Sequence, residues 1–284
     1  MADPARLGIE AVRLALAEDH AIDDVTTPLL GTAAQTLAAG RFVAEADCVV
    51  AGLPVAELVF RELDAEAVLR PIVTEGSRAR AGAVLATVNA RAGTLLAGER
   101  VALNFLQRLT GIATMTRRFV DAVKGTGAQI THTRKTTPGL RELERYAVRM
   151  GGGADNRAPL AESVMFKDNH WVMLGRGATG VGGGLRDVLA RASKTLDIVI
   201  EAETDAQFEE ALAAGVTHIL ADNRSPATIA AWVKRAGSGV TIQASGGITA
   251  ANVAEYAAAG AHLISVGALT HSAAAAAIGF ELQG

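Results

Sequence analysis

The chain has 284 residues, half of them hydrophobic and a fifth charged, so it can bury one large core or two modest ones. Its net charge of −3 argues against a nucleic-acid binder that works by bulk positive charge, so an anionic ligand must meet a local cluster of Lys and Arg. The single cysteine, Cys48, excludes an intrachain disulfide and a thiolate metal site, and it fits a cytoplasmic protein. No apolar run reaches the roughly 18 residues of a membrane helix, and the start MADPARLGIE lacks a signal-peptide core, so we expect no membrane association.

The N-terminal third predicts a helix, then strands, then a second helix. The first 30 residues favour a helix that ends in a turn, DDVTTPLL (23–30). Between Gly40 and Arg91, short apolar runs alternate with turn signals such as EGSRARAG, which is typical of antiparallel strands. A helix is predicted to begin near Leu95, because the apolar residues that follow recur at helical spacing.

After about Gly111, six short apolar runs alternate with amphipathic helices, and each run ends in polar or glycine residues. The runs are AQIT (128–131), SVMF (163–166), DIVI (197–200), HILA (218–221), VTIQA (240–244) and HLISV (262–266). Ser225-Pro226 predicts a helix start, and Gly215 and Gly237 predict helix ends. The alternation predicts βαβ units and a parallel sheet. A β/α barrel is favoured over an open doubly wound sheet; both place the ligand at the carboxyl ends of the strands.

The residues at these predicted strand ends fall into two charged sets and two glycine loops. The cations are Arg134, Lys135, Arg157 and Lys167, and the carboxylates are Glu201, Glu203 and Asp222. The last two strands end in ASGGIT and SVGALT, whose backbone N–H groups can bind phosphate. Together they predict a site for a phosphorylated sugar, with carboxylates toward hydroxyls or a metal ion.

Each element also has a plainer interpretation. A single Arg or Lys is usually a solvated surface charge, and SGG alone is usually a turn. Glu201 and Glu203 share a strand face and could belong to an ion pair in the barrel interior. His132, His170 and His271 are scattered along the chain, which favours structural histidines over a metal site.

Six segments, in the same order along most of the chain, resemble the quinolinate phosphoribosyltransferases, or carboxylating nicotinate-nucleotide pyrophosphorylases. They are GERVALNFLQRLTGIAT (98–114), TRKTTPGLRELERYAVRMGGG (133–153), FKDNH (166–170), LADN (220–223), ASGGIT (244–249) and SVGALTHS (265–272). The stretch TRKTTPGLR followed by YAVRMGGG is highly specific, whereas SGG is not. The first third matches more loosely, through DDVTT (23–27) and its turn-rich strands.

The resemblance implies an α/β fold of two domains and a reaction. Residues 1–112 would form an N-terminal α/β sandwich-like domain, with 273–284 packing back on it, and 113–272 an incomplete α/β barrel of parallel strands. Members transfer phosphoribose from phosphoribosyl pyrophosphate to quinolinate with loss of carbon dioxide, which gives nicotinate mononucleotide for NAD synthesis. Magnesium accompanies the pyrophosphate. The chain is expected to form a homodimer with shared active sites, with a higher homo-oligomer as the alternative.

The resemblance also assigns site residues one by one. The positions that match quinolinate contacts are Arg134, Arg157 and Lys167, with Asn156 at the acceptor pocket and Arg100 contributed by the neighbouring subunit. Lys135 matches a lysine at the phosphoribosyl pyrophosphate, and Glu201 and Asp222 match carboxylates near its ribose and metal. The phosphate loops match Ser245, Gly246, Gly247, Gly267 and Ala268. Of these, Lys135, Lys167, Glu201 and Asp222 are predicted to be catalytic.

The chain departs from the family pattern mainly at the acceptor end. Asp155-Asn156-Arg157 stands where Asn-His-Arg is usual, His132 stands where Asp is common, and Val199 replaces a glutamate. Two other functions therefore remain open: a paralogue on the same scaffold with a different aromatic acid as acceptor, and a non-catalytic protein that binds a phosphorylated metabolite.

Overall fold

The computed structural model describes residues 4–157, 159–161, 163–176 and 184–283. Two compact units share the chain: the first contains residues 1–117, 135–153 and 268–284, and the second contains 118–134 and 154–267. The domain boundary predicted between residues 112 and 113 stays a prediction. Among the helices of the described residues, none has both the length and the apolar character needed to cross a bilayer.

The helices and strands follow one another along the described residues in this order. They are α1 (Pro4–Glu18), β1 (Leu37–Ala44), β2 (Cys48–Val49), α2 (Leu53–Leu63), β3 (Val68–Pro71), β4 (Arg78–Ala79), β5 (Val84–Arg91), α3 (Ala92–Ala122), β6 (Gln129–Thr131), α4 (Arg141–Met150), β7 (Ser163–Phe166), α5 (Asp168–Arg176), α6 (Leu185–Leu189), β8 (Asp197–Ala202), α7 (Asp205–Ala213), β9 (His218–Asp222), α8 (Pro226–Ala236), β10 (Thr241–Ser245), α9 (Val253–Ala258), β11 (Leu263–Ser265), α10 (Ala268–His271) and β12 (Ile278–Gln283). Short 3-10 helices lie at Ala21–Asp23 and Thr27–Gln35.

The first unit contains an antiparallel sheet in the order β12-β1-β5-β3 and a small β2–β4 ladder. Phe42 of β1, Phe60 of α2 and Phe280 of β12 form an aromatic cluster, with ring centroids 5.0 to 6.2 Å apart. Aromatic contacts of this kind add to the free energy of apolar burial. The end of the chain is thereby built into the same sheet as β1.

The predicted antiparallel region is confirmed, but the N-terminal third of the chain differs from the prediction at three points. Helix α2 lies inside that region, because LPVAELVFREL carries a proline in its first turn and buries one face, including Val59 and Phe60. The second half of the turn expected at 23–30 belongs instead to the 3-10 helix Thr27–Gln35. A 3-10 helix has the same i to i+3 hydrogen bonds as a tight turn, so the two are alike in sequence. Helix α3 begins at Ala92, three residues before the predicted start.

The second unit contains one sheet of six strands, all parallel, in the order β6-β11-β10-β9-β8-β7. Strands β7 to β11 lie side by side in chain order, and the first strand, β6, pairs with the last, β11. A doubly wound sheet reverses its strand order at a switch point, whereas a barrel brings its first strand beside its last. The incomplete barrel is therefore confirmed. An isolated parallel bridge joins Thr131, at the end of β6, to Ala154.

All six predicted strands are present, with ends within two residues of the predicted ones. The cap residues are confirmed as well: Ser225 accepts a hydrogen bond from the N–H of Thr228 at 3.2 Å, and Gly237 ends α8 with φ +71°. The main difference is at the carboxyl ends. Glu201, Asp222 and Ser245 lie within strands rather than after them, so the pleat of the sheet fixes where their side chains point.

Candidate active site

Three carboxylates meet at the carboxyl ends of β8 and β9. One oxygen from each of Glu201, Glu203 and Asp222 lies within 4.8 Å of the other two. Register explains this: Glu201 pairs with Leu220, so Glu203, one residue past the end of β8, and Asp222, the last residue of β9, reach the same level. A group of carboxylate oxygens is the donor set that Mg²⁺ prefers, so these residues fit the ion that the sequence predicts.

Lys167 makes an ion pair with the most buried of these carboxylates. Its Nζ lies 2.6 Å from Oε2 of Glu201, whose side chain is 8% exposed against 42% for the lysine. Lys167 directly follows β7, and β7 pairs with β8, so the two side chains meet across neighbouring strands. Trp171 of α5 donates from Nε1 to the carbonyl oxygen of Glu201 at 2.8 Å. The Lys167 ammonium group therefore pairs with Glu201, and the carboxylates of Glu203 and Asp222 lie next to this ion pair.

The loop after β10 is tied to the end of β9. Asn223 donates its backbone N–H to the Ser245 carbonyl at 2.9 Å, and its side-chain amide to Oδ2 of Asp222 at 2.8 Å. Gly246 has φ +85°, and a Cβ there would lie 2.3 Å from Oδ1 of Asn223 and 2.8 Å from its backbone nitrogen. Only glycine fits this close approach at position 246, and Asn223 links the Ser245 carbonyl to the Asp222 carboxylate.

A second cluster in the same unit surrounds the imidazole of His132, just after β6. The backbone N–H of Asn156 lies 3.2 Å from Nε2 of His132, and the Asn156 amide donates to the His132 carbonyl at 3.1 Å. The N–H of Arg157 donates to Oδ1 of Asn156 at 2.8 Å, and its guanidinium donates to the Ser163 carbonyl at 3.1 Å. Arg134, which follows His132 by two residues, is half-buried. The predicted acceptor-binding roles of these residues stay predictions.

The other predicted site residues belong to the first unit, apart from Gly247 and Gly267 of the second. Arg100 is exposed on α3, Lys135 is exposed, and Ala268 begins α10. The carbonyl oxygen of Lys135 accepts a hydrogen bond from the Thr270 hydroxyl at 2.8 Å. The backbone of the TRKTTPG loop is thus fixed to the segment that contains α10. The roles of these residues also stay predictions.

Sequence reasoning missed a buried ion pair beneath this loop. Glu144 of α4 has no exposed side-chain surface and lies 2.6 Å from a guanidinium nitrogen of Arg108 on α3. It also accepts hydrogen bonds from the N–H and hydroxyl of Thr137, at 3.1 and 2.7 Å. Arg108 donates in turn to the Ala273 carbonyl at 3.1 Å. The available signal was the helical spacing of Glu144 with the buried residues Ala147 and Val148.

An incomplete parallel barrel with carboxylates, a paired lysine and a glycine loop at its strand ends is the architecture of a barrel enzyme for phosphorylated substrates. Residues 24–110 match the quinolinate phosphoribosyl transferase N-terminal domain, and residues 112–282 match the C-terminal domain of the same name. The chain therefore belongs to the quinolinate phosphoribosyltransferase family, and the resemblance found in its sequence is confirmed.

Individual relatives agree with the family match. The chain is 39% identical to the nicotinate-nucleotide pyrophosphorylase (carboxylating) of Mycobacterium leprae over 280 residues, which cover 96% of each chain. It is 39% identical to a probable enzyme of the same name from Synechocystis over 253 residues, 88% of this chain and 84% of the relative. The crystal structure of NadC from Streptococcus pyogenes superposes with a TM-score of 0.90 at 33% identity, covering 100% of this chain and 98% of that one.

Proposed function

We propose that this enzyme transfers the phosphoribosyl group of phosphoribosyl pyrophosphate to the ring nitrogen of quinolinate. A bond forms between that nitrogen and the anomeric carbon, and the bond to pyrophosphate breaks. The carboxylate beside the nitrogen then leaves as carbon dioxide and a proton takes its place, which gives nicotinate mononucleotide for NAD synthesis. The observation that carries the proposal is the Lys167–Glu201 pair beside Glu203 and Asp222, at the strand ends of a chain in this family.

The carboxylates suit the first step. As pyrophosphate departs, positive charge develops on the ribose, and fixed carboxylates stabilise that charge without having to reorganise. Glu201 is oriented by Lys167 and by its place within β8, and Asp222 is oriented by Asn223. We therefore assign Glu201 and Asp222 to the ribose end, with Lys135 and the loop Ser245-Gly246-Gly247 at the phosphates.

The cations suit the acceptor. Quinolinate carries two adjacent carboxylates, and an arginine guanidinium can pair with a carboxylate through two parallel hydrogen bonds. We assign Arg134, Arg157 and Lys167 to this dianion. After transfer, the ring nitrogen is cationic, and the ring itself can take the electron pair left by the departing carbon dioxide.

We propose Mg²⁺ as the cofactor; Glu201 and Asp222 are the residues that would hold it. Bound there, the ion would neutralise charge on the leaving group. The protein's own part is to hold the oxygen donors close together, as the spacing of this cluster does.

The buried single cysteine fits a reducing compartment, so we propose a cytoplasmic enzyme.

The first expected result is the reaction itself. Purified protein with Mg²⁺, phosphoribosyl pyrophosphate and quinolinate should form nicotinate mononucleotide and release labelled carbon dioxide from the carboxylate next to the ring nitrogen. Nicotinate and other pyridine acids serve as alternative acceptors. No product at high enzyme concentration, with an active relative as a positive control, would contradict the proposal, and product from another acid alone would favour the paralogue.

We further propose a homodimer whose active sites are shared. The first unit exposes five large apolar side chains between residues 22 and 37: Ile22, Val25, Leu29, Leu30 and Leu37. Exposed apolar side chains that lie close together are typical of a protein interface. Arg100 is exposed in the same unit, which leaves it available to a neighbouring subunit.

Complementation between two inactive variants tests the shared site. Arg100→Ala and Lys167→Ala should each be nearly inactive, and mixing them through dissociation and reassembly should restore activity. A two-fold dimer assembled at random from the two would recover about a quarter of wild-type activity, because one site of each heterodimer has both residues. If heterodimers form, as mass spectrometry can show, and activity does not return, Arg100 acts within its own subunit or not at all.

A further inference from the structure

His132 is a buried imidazole placed between the parallel sheet and the segment 155–157. Its side chain is 1% exposed, and it immediately follows β6 in the chain. Nε2 lies 3.2 Å from the backbone nitrogen of Asn156, and Nδ1 lies 3.3 Å from the carbonyl oxygen of Thr133. Both ring nitrogens therefore face backbone groups.

These two contacts fix the proton on the ring. A backbone N–H can only donate, so Nε2 must accept from Asn156 and cannot itself carry a proton. The neutral imidazole then carries its proton on Nδ1, which donates to the Thr133 carbonyl. The ring is oriented at both nitrogens.

The segment held by this ring includes Arg157. The Asn156 side chain donates to the carbonyl of His132 and accepts from the N–H of Arg157, so it links the two residues. The carboxylate of Asp155 lies 3.7 Å from Nε2 of His132, on the same side of the ring. Asp155 and Asn156 thus both contact the imidazole, and the Asn156 side chain in turn fixes the backbone N–H of Arg157.

We propose that His132 is a positioning residue for the acceptor: it fixes Asn156 and thereby the arginine that binds a quinolinate carboxylate. The inference rests on the proposed function for the identity of the acceptor. The side chain of Asn156 connects His132 to Arg157 through two hydrogen bonds. The affinity for the dicarboxylate depends on this connection, whereas the binding of phosphoribosyl pyrophosphate does not.

Two substitutions at position 132 separate the hydrogen bond from mere packing. In His132→Gln, the side-chain oxygen reaches the place of Nε2 and can still accept from Asn156. In His132→Asn, the shorter amide reaches only the place of Nδ1, so the Asn156 N–H loses its acceptor. We expect His132→Asn to raise the KM for quinolinate about tenfold, because the N–H of the half-buried Asn156 loses its acceptor and its segment becomes less ordered. His132→Gln should stay within about threefold of wild type, because its acceptor for the Asn156 N–H is kept.

His218 offers a matched control, because it lies at the amino-terminal ends of the strands of the same sheet, whereas His132 lies at the carboxyl ends. It is the first residue of β9, and its Nε2 lies 2.6 Å from Oε1 of the buried Gln243. His218→Asn should lower thermal stability and leave the KM for quinolinate unchanged. The KM for phosphoribosyl pyrophosphate and kcat should change little in any of the three variants.

Failure of the inference can be told apart from failure of the proposed function. A wild-type protein that makes no nicotinate mononucleotide from quinolinate contradicts the function. An active wild type whose His132→Asn variant keeps its quinolinate KM, or loses affinity equally for both substrates, contradicts the positioning role. Nitrogen-15 NMR of labelled histidine adds a readout that needs no activity: the His132 ring should be protonated on Nδ1, and a proton on Nε2 would overturn the inference.

Discussion

Replacing Glu201 with glutamine should lower the turnover number a few hundredfold and leave the binding of quinolinate much less affected. The substitution keeps the shape of the side chain but removes the negative charge that we assign to the ribose end of the site. Loss of one such electrostatic contact raises the barrier by roughly 3–4 kcal/mol in comparable enzymes. Asp222→Asn should act in the same direction. Steady-state and single-turnover kinetics with both substrates measure the effect.

A surface carboxylate provides the control for this result. Glu209 of α7 also pairs with a cation, Arg235 of α8, at 3.0 Å, but both side chains are well exposed. Glu209→Gln removes the same charge from the same unit and should leave turnover at the wild-type level, since exposed ion pairs contribute little. Unchanged turnover in both Glu201→Gln and Asp222→Asn would show that the cluster at the strand ends is structural.

Replacing Glu144 with alanine should lower the free energy of unfolding by about 3–5 kcal/mol, because it leaves Arg108 without its buried partner. The backbone N–H of Thr137 also loses an acceptor. Glu144→Gln should cost less, because its side-chain oxygen can still accept from the Arg108 guanidinium or from Thr137. Urea denaturation followed by circular dichroism measures the change.

The same helix supplies the comparison. Glu142 of α4 lies 3.1 Å from Arg145 and is 46% exposed, so its ion pair is solvated. Glu142→Ala should change the free energy of unfolding by less than about 1 kcal/mol. Equal effects at positions 142 and 144 would mean that the buried network contributes no more to the free energy of unfolding than the solvated ion pair.

The sequence was sufficient to predict the parallel sheet, because its short apolar runs and helix caps are local signals. Ser225 and Gly237 determine helix ends through their own hydrogen bond and backbone angle, so neighbours in space are not needed. Helix α2 is not evident from the sequence, because its short apolar run lies among runs that are typical of strands. Over short apolar runs the helical and strand periods are hard to tell apart.

The sequence predicts which charged residues lie at the strand ends, but not which contacts they make. Placing Lys167 and Asp222 at strand ends requires only the strands, whereas pairing Lys167 with Glu201 requires the register between β7 and β8. Glu144 shows the limit most clearly. An acidic residue is normally assigned to the surface, and its partner, Arg108, is 36 positions away in sequence.

The pairing of β12 with β1 has a consequence for how the protein is made on the ribosome. Arg41 and Glu281, hydrogen-bonded across these strands at 2.7 Å, are 240 positions apart. During synthesis β1 therefore emerges long before its partner, and its outer edge stays open while the whole parallel sheet is translated. An open strand edge can pair with another chain, and larger proteins tend to aggregate from such incomplete states. Nascent chains stalled before Ile278 should accordingly depend on chaperones far more than chains released after β12.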